Sequence, residues 1–167
     1  MTDATERDEP VRIAPLGSGV YRLTTKLWLP RPRAEVFAFF GAAENLQRIT
    51  PPFLGFEIFT DPPIAMGVGT LIDYRIKLNG LPMRWRTQIT RWEPDDSFED
   101  TQLRGPYRQW VHTHTFVDCH GGTLCTDQVD YAPPLRPIAG LINRIAVQGK
   151  VQKIFEYRQQ KVRELFA

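Results

Sequence analysis

The sequence predicts an α+β protein, and three observations carry this prediction. Residues 21–29 and 53–131 mainly show the alternation of apolar and polar side chains that is typical of β-strands. Two short helical patterns separate these segments, and residues 138–166 carry an apolar stripe at helical spacing. Because a long amphipathic helix needs an apolar surface to cover its stripe, we expect it to pack on the sheet.

The first predicted strand, residues 21–29, ends at Pro30 and Pro32. A short helix is predicted next, with Val36, Phe37 and Phe40 at helical spacing just after a proline, a residue that the first turn of a helix tolerates. A second short helix is predicted over residues 44–49, and it stops at the prolines that follow.

Six further strands are predicted in succession. The turn signals between them include Asn79-Gly80, which strongly indicates a two-residue hairpin because both residues tolerate a positive φ. Other reversals are predicted at residues 93–96, 104–106 and 121–122. The six predicted strands are residues 53–60, 69–78, 81–92, 97–103, 107–118 and 123–131.

The C-terminal helix is predicted from about Leu135 to Phe166. Its apolar positions lie mostly on one stripe, and we place Arg144, Lys153, Arg158 and Arg163 largely off it. The helix would therefore present basic residues to solvent.

Composition limits the class of protein. Apolar residues make up 42% of the 167 residues and charged residues 24%, which excludes disordered and collagen-like chains. The net charge of +2 is too small to indicate a basic surface for nucleic acid. No apolar run approaches the ~20 residues of a membrane span. We expect residues 1–16 to be a loose tail and residues 17–167 to be one domain. The polar N-terminus resembles no export signal, so we expect a cytoplasmic protein with free thiols.

Hairpin pairing predicts which side chains share a face of the sheet. The turns place Tyr74 opposite Trp85, Ile89 opposite Asp100, Phe98 opposite His112 and Phe116 opposite Asp127. All four turns agree on one inward face. Its apolar and aromatic members, with one threonine, are Ile72, Tyr74, Ile76, Met83, Trp85, Thr87, Ile89, Phe98, Trp110, Phe116, Val129 and Tyr131. The outward face carries Arg75, Lys77, Arg84, Arg86, Gln88, Glu99 and Arg108.

Polar side chains are also predicted on the inward face. They are Asp100, Gln102, His112, His114 and Asp127. Burying a polar group without a partner costs a few kcal/mol, so these groups either satisfy one another in the core or line a cavity with water and ligand.

Several local strings resemble a known family. They are Leu29-Pro30-Arg31-Pro32-Arg33-Ala34-Glu35-Val36-Phe37, Arg48-Ile49-Thr50-Pro51-Pro52, Gly69-Thr70, Trp85-Arg86-Thr87, Gly105-Pro106-Tyr107, His112-Thr113-His114-Thr115-Phe116, Gly121-Gly122-Thr123 and Asp127-Gln128-Val129-Asp130-Tyr131. With the order of elements from Tyr21 onward, they resemble the START/Bet v 1-like (SRPBCC) superfamily and its bacterial polyketide cyclase/dehydrase-like, ligand-binding branch.

The resemblance implies a helix-grip fold, in which a seven-stranded antiparallel sheet curls around the last helix and leaves a cavity. Members of the superfamily bind lipids, sterols, quinones, polyketides or plant hormones, and a minority are enzymes or chaperone co-factors. No catalytic motif spans the superfamily, so the fold transfers no residue role.

The inward polar residues leave two chemistries open. His112 and His114 stand two apart on a strand, so both leave the same face, and with Asp127 across the hairpin they could form a metal site of the His-x-His type. No third ligand at tight spacing is evident, so we predict no metal and no cofactor. The second chemistry is acid–base catalysis by His112 or His114, with Asp127 as the orienting carboxylate. The same residues could instead hold a ligand in place through polar contacts without reacting with it.

The preferred hypothesis is a carrier or sensor that binds a small hydrophobic, cyclic or lipid-like molecule between the sheet and the C-terminal helix. The alternatives are a cyclase or dehydratase acting on a polyketide-like substrate, and a protein-interaction module with a filled core. The ligand-binding residues would be Tyr74, Trp85, Thr87, Phe98, Asp100, Gln102, Trp110, His112, His114, Phe116, Asp127 and Tyr131.

Two further features are predicted to be structural. Cys119 and Cys125 lie on opposite faces of their hairpin, with Cys119 opposite Leu124 and Cys125 opposite Asp118, so they cannot form a disulfide. The outward basic residues are expected to be solvated. We expect no nucleic-acid partner and no membrane span, and the sequence leaves the oligomeric state open.

Overall fold

The computed structural model describes residues 8–167 and contains one antiparallel sheet of eight strands. The strand order is β1-β2-β8-β7-β6-β5-β4-β3, so the first two strands pair with the last. The strands are β1 Glu9–Gly17, β2 Val20–Leu29, β3 Glu57–Ile58, β4 Leu71–Leu78, β5 Leu81–Glu93, β6 Ser97–Arg104, β7 Gln109–Cys119 and β8 Gly122–Ala132.

The helices form two groups at the same points as in the prediction. Between β2 and β3 lie α1, Arg33–Phe40, and two 3₁₀ helices, Ala43–Ile49 and Pro52–Leu54. After β8 come a 3₁₀ turn, Arg136–Ile138, and the C-terminal helix. That helix runs as α2, Ala139–Ile142, a π-helical segment, Asn143–Val147, and α3, Gln148–Phe166. The α+β helix-grip architecture is therefore confirmed, with a π-helical interruption that the periodicity does not reveal.

The N-terminal expectation is wrong for half of its length. Residues 9–16, predicted to belong to a loose tail, lie in β1, which pairs with β2 and supplies the eighth strand. Val11 and Ile13 alternate with exposed neighbours and pack against the core, although Pro10 and Pro15 obscure the pattern. Residues 1–7 of that prediction lie outside the described residues.

The predicted register is right for the first hairpins and slips by two residues in the last ones. Tyr74 pairs with Trp85, and Ile89 with Asp100, as expected. Asp100, however, lies opposite His112 rather than Trp110, and Phe98 lies opposite His114 rather than His112. A slip of two residues keeps every side chain on its predicted face because the strand repeat is two.

A side chain explains the longer loop between β6 and β7. Gln102 donates from Nε2 to the carbonyl of Tyr107 at 2.7 Å, and its Oε1 accepts from the Tyr107 N–H at 3.3 Å. A Cβ on Gly105 would lie 2.3 Å from that Oε1, so any larger residue at this position would displace the Gln102 amide from these contacts. The contacts with Gln102 therefore stabilise a connection longer than the predicted three-residue loop, residues 104–106.

The last hairpin slips because its turn lies one residue earlier than predicted. The two turn residues are His120 and Gly121, with φ of 47° and 79°, as in a type I′ turn. Phe116 therefore lies opposite Cys125 rather than Asp127, and His114 opposite Asp127 rather than Val129. His112 pairs with Val129 rather than Tyr131, and Cys119 with Gly122 rather than Leu124.

The C-terminal helix covers only part of the inward face of the sheet. Val151 and Phe155 pack with Leu23, Val129 and Tyr131 in one cluster of buried side chains. Val162 and Phe166 join a second cluster that includes Leu27, Leu29, Phe98 and Phe116. Two further clusters, built around Ile72 with Ile89 and around Ile76 with Trp85, contain no α3 residue. The core is consequently open between α3 and the β4–β5 side of the sheet.

Candidate functional site

A cavity of about 140 Å³ occupies this opening. Its walls are the inward faces of β4 to β7, the segment between α1 and β3, and one side of α3. The lining residues are Phe40, Ala43, Leu46, Ile49, Thr50, Leu54, Phe56, Met66, Ile72, Tyr74, Ile76, Leu78, Trp85, Thr87, Ile89, Phe98, Asp100, Tyr107, Trp110, His112, His114, Ile154, Phe155 and Arg158. The wall is therefore mainly apolar and aromatic, with one cluster of polar groups.

Most of the predicted ligand-binding residues line this cavity. They are Tyr74, Trp85, Thr87, Phe98, Asp100, Trp110, His112 and His114. Tyr74 and Trp85 stack with ring centroids 5.6 Å apart, and Trp110 meets Trp85 edge to face at 5.4 Å. The aromatic residues thus form one continuous wall.

Four of the predicted residues are not among those that line the cavity. Gln102 pins the β6–β7 loop, and Phe116 packs against Phe37 in the core. Tyr131 is fully buried, and its hydroxyl donates to Oδ1 of Asn143 at 2.9 Å. Asp127 lies behind the two histidines.

Two histidines and two aspartates come together at the base of the cavity, from three adjacent strands. Asp127 on β8 contacts both rings: its Oδ1 lies 3.3 Å from Nε2 of His112 and 2.7 Å from Nδ1 of His114. The opposite ring nitrogens face Asp100 on β6, whose Oδ2 lies 3.7 Å from Nδ1 of His112 and 4.0 Å from Nε2 of His114. Each histidine ring therefore stands between two carboxylates.

The environment sets the charge of these groups. Burial lowers the pKa of His112 to about 4, with a further contribution from His114, and burial likewise lowers the pKa of His114. Burial alone would raise the pKa of Asp127. The field of His114 and the contacts with both imidazoles outweigh it, so that pKa lies well below its ordinary value. Near neutral pH, the histidines are neutral and Asp127 is ionised.

Asp100 differs from Asp127. Burial raises the pKa of its carboxyl group above the ordinary value. The hydroxyl of Thr87 donates to Oδ1 of Asp100 at 3.0 Å, which fixes this carboxyl group with its second oxygen towards the histidines. The site thus holds one carboxyl group that keeps a proton more readily and one that is ionised.

Arg158 is a cavity residue that is absent from the predicted site. This arginine lines the cavity, and its buried Nε has no hydrogen-bond partner among residues 8–167. The prediction that Arg158 lies largely off the apolar stripe is wrong, because this residue stands seven positions after Val151 and four before Val162, both buried. That spacing was the available signal. Tyr107 and Phe155 also line the cavity without having been predicted.

A second, larger depression of about 580 Å³ lies on the outward face of the sheet, beside Arg84, Arg86 and Arg104. Arg86 pairs there with Asp73 at 2.8 Å, and all three arginines are exposed. Water solvates such a surface, so the cavity with the mainly apolar wall is the stronger candidate for a ligand site.

The two cysteines are free, as predicted. Cys125 is buried opposite Phe116, and Cys119 lies at the end of its hairpin opposite Gly122. Burial raises the pKa of the Cys125 thiol, so it is a poor nucleophile.

Comparison with known proteins gives a family match over most of the chain. Residues 29–155 match the model of a family described as polyketide cyclase / dehydrase and lipid transport. No protein in the curated set matches the sequence. Within residues 8–167, no helix combines the length and the hydropathy that crossing a bilayer requires.

Solved structures share the fold at low sequence identity. Protein Ms6760 from Mycobacterium smegmatis superposes with a TM-score of 0.66 at 15% identity, covering 95% of this chain and 96% of its own. Protein CV1439 from Chromobacterium violaceum gives 0.65 at 14%, with 90% and 98% covered. The major latex-like protein 151 of Panax ginseng gives 0.61 at 11%, with 89% and 98% covered. At these identities the likeness concerns the fold alone.

Proposed function

Because the chain belongs to the polyketide cyclase / dehydrase and lipid transport family, we propose that it binds a small hydrophobic, ring-containing ligand in the cavity between the sheet and α3. In this role the protein is a carrier or sensor. The observation that carries the proposal is the cavity itself, which is lined by aromatic and aliphatic side chains and contains one polar cluster.

The size of the cavity limits the ligand. An apolar cavity of about 150 Å³ accepts benzene, and this one measures about 140 Å³. A single ring the size of benzene therefore matches the volume of this cavity, whereas a larger ring system requires side chains to move.

The polar groups determine how such a ligand is oriented. A hydroxyl or carbonyl group directed at the base of the cavity meets the carboxyl group of Asp100 and the ring of His114, while the ring of the ligand contacts Tyr74, Trp85 and Trp110. Aromatic walls favour a planar ligand because offset and edge-to-face contacts add to the burial of apolar area.

Binding of 4-fluorophenol, followed by ¹⁹F NMR in the presence of a chelator, tests the proposal. We expect the signal of the probe to broaden and shift on titration with the protein, and to saturate at one site per chain. Substituting Ala43, which is buried and lines the cavity, by phenylalanine should fill the space and abolish this saturable change.

The matched control adds the same side chain outside the cavity. Val117 is 56% exposed on β7, and Val117→Phe should leave the titration unchanged. Since Ala43→Phe could destabilise the fold, thermal unfolding is measured for each variant, and Ile72→Phe provides a second filled cavity. Equal responses from the wild type and both filled variants, or no saturable response from the wild type, would contradict the proposal.

A cyclase or dehydratase is the second candidate, and one observation favours it. The contact of Asp127 with Nδ1 of His114 leaves Nε2 of that ring facing the cavity, 4.0 Å from Asp100. A base in this position would reach a ring-shaped substrate. The protein-interaction module with a filled core is less favoured, because the core contains a cavity.

A further inference from the structure

We propose that Asp100, His112 and His114 form a binding site for one divalent first-row transition-metal ion at the base of the cavity. This inference goes beyond ligand binding and does not depend on it. The metal was not expected from the sequence because no third ligand was evident there. The corrected register supplies one, since Asp100 lies directly opposite His112.

The three ligand atoms lie close together. One ring nitrogen of His112, one of His114 and a carboxylate oxygen of Asp100 all lie within 4.8 Å of one another. In a tetrahedral site with bonds of ~2.1 Å, ligand atoms stand ~3.4 Å apart. Oδ2 of Asp100 lies 3.7 Å from Nδ1 of His112 and 4.0 Å from Nε2 of His114, so side-chain rotations of less than about 1 Å bring these separations to that value.

The hydrogen-bonding pattern leaves these three atoms as acceptors. A carboxylate only accepts hydrogen bonds, so the ring nitrogens that face Asp127 carry the protons. The opposite nitrogens of the two neutral rings therefore present lone pairs to Oδ2 of Asp100. Three acceptors that converge without a donor repel one another, and either a proton or a cation between them removes the repulsion.

Each of the three ligands has an outer partner that fixes its orientation. Asp127 contacts the non-coordinating nitrogen of both histidines, and the Thr87 hydroxyl donates to the other oxygen of Asp100 at 3.0 Å. A carboxylate behind a histidine is the usual outer arrangement of protein metal sites, because it sets the ring tautomer and strengthens the ligand. A shared proton alone would need no such support at all three side chains.

The donor set indicates the class of metal. Two imidazole nitrogens and one carboxylate oxygen suit zinc, iron and similar ions, whereas magnesium and calcium prefer oxygen ligands. With only three protein ligands, at least one coordination position faces the cavity. Arg158 adds a positive charge nearby, so a divalent ion would give the site a net positive charge and favour an anionic atom in that position.

Metal binding to the purified chain tests the inference. The protein is stripped with a chelator, dialysed against Zn²⁺ at pH 8 and analysed for bound metal. Co²⁺ is titrated in parallel because its visible absorption reports nitrogen and oxygen ligation. We expect one ion per chain, and a loss of affinity of about 100-fold or more in His114→Gln and Asp100→Asn.

Two further variants keep the test independent of folding. Asp127→Asn retains the shape of the outer carboxylate and should weaken binding by about 10–100-fold. His120, the third histidine of the chain, is exposed in a turn, and His120→Asn should bind as the wild type does. Binding below one ion per chain in the wild type, or equal binding in the His114 and Asp100 variants, would overturn the site. Since the fluorophenol titration is run with chelator present, this failure would leave the proposed function intact.

Discussion

The hydroxyl of Tyr131 lies between β8 and the π-helical segment. It donates to Oδ1 of Asn143, and both side chains are at most 1% exposed. This pair joins the sheet to the C-terminal helix at the point where the helix departs from α-helical geometry. The role of Tyr131 is consequently structural, although the predicted register assigns this residue to the ligand-binding face of the sheet.

Replacing Tyr131 by phenylalanine should lower the free energy of unfolding by about 1–3 kcal/mol, because Oδ1 of Asn143 then stays buried without its donor. Urea unfolding measures this change, and Tyr157→Phe, whose ring is only partly buried, should alter it by less than about 0.5 kcal/mol. The Tyr131 variant should still bind 4-fluorophenol. A variant with unchanged stability and lost binding would show instead that Tyr131 contacts the ligand.

Individual site residues were predictable to different degrees. The alternation of strands placed Asp100, His112, His114 and Asp127 on one face, and it did so despite the slipped register. The contact of Asp127 with both rings was not predictable, because it depends on which residues lie directly opposite. That pairing depends on the β6–β7 loop, which the Gln102 side chain stabilises, and on the position of the turn between β7 and β8.

At the level of the elements, the predicted strand pairing was correct where the turn between the strands was correctly identified. Asn79-Gly80 was identified because its sequence is the preferred one for a two-residue hairpin, and the pairing on both sides was correct. His120-Gly121 adopts the same kind of turn, but histidine is not a residue that indicates such a turn in a sequence. The neighbouring Gly121-Gly122 gave a stronger signal one residue too late.

The His120→Asn variant should stabilise the protein. The φ of 47° at this position suits asparagine better than histidine, and Asn-Gly is the favoured pair of a type I′ turn. We expect a gain of ~0.5–1 kcal/mol in the free energy of unfolding, observed as a rise of about 2 °C in the melting temperature. A fall in melting temperature would argue against the type I′ turn and, with it, against the register that places His114 opposite Asp127.

At the scale of the whole molecule, the order of elements predicted the architecture but not the interior. A sheet followed by a long amphipathic helix must bury the helix stripe, and Val151, Phe155, Val162 and Phe166 are buried as that argument requires. The extent of the cavity follows from where the helix stops covering the sheet. It depends on the path of the C-terminal helix through its π-helical segment, which no periodicity encodes.

The central claim is that the cavity between the sheet and α3 binds a small ligand. Intermolecular NOEs test this claim most directly. With 4-fluorophenol and protein labelled at isoleucine, leucine and valine methyl groups, we predict NOEs from the ring protons to Ile72, Ile76 and Ile89, which line the cavity. Methyl groups of Leu103 and Val117, exposed on the outward side, should give none. NOEs confined to such exposed methyl groups would contradict the account.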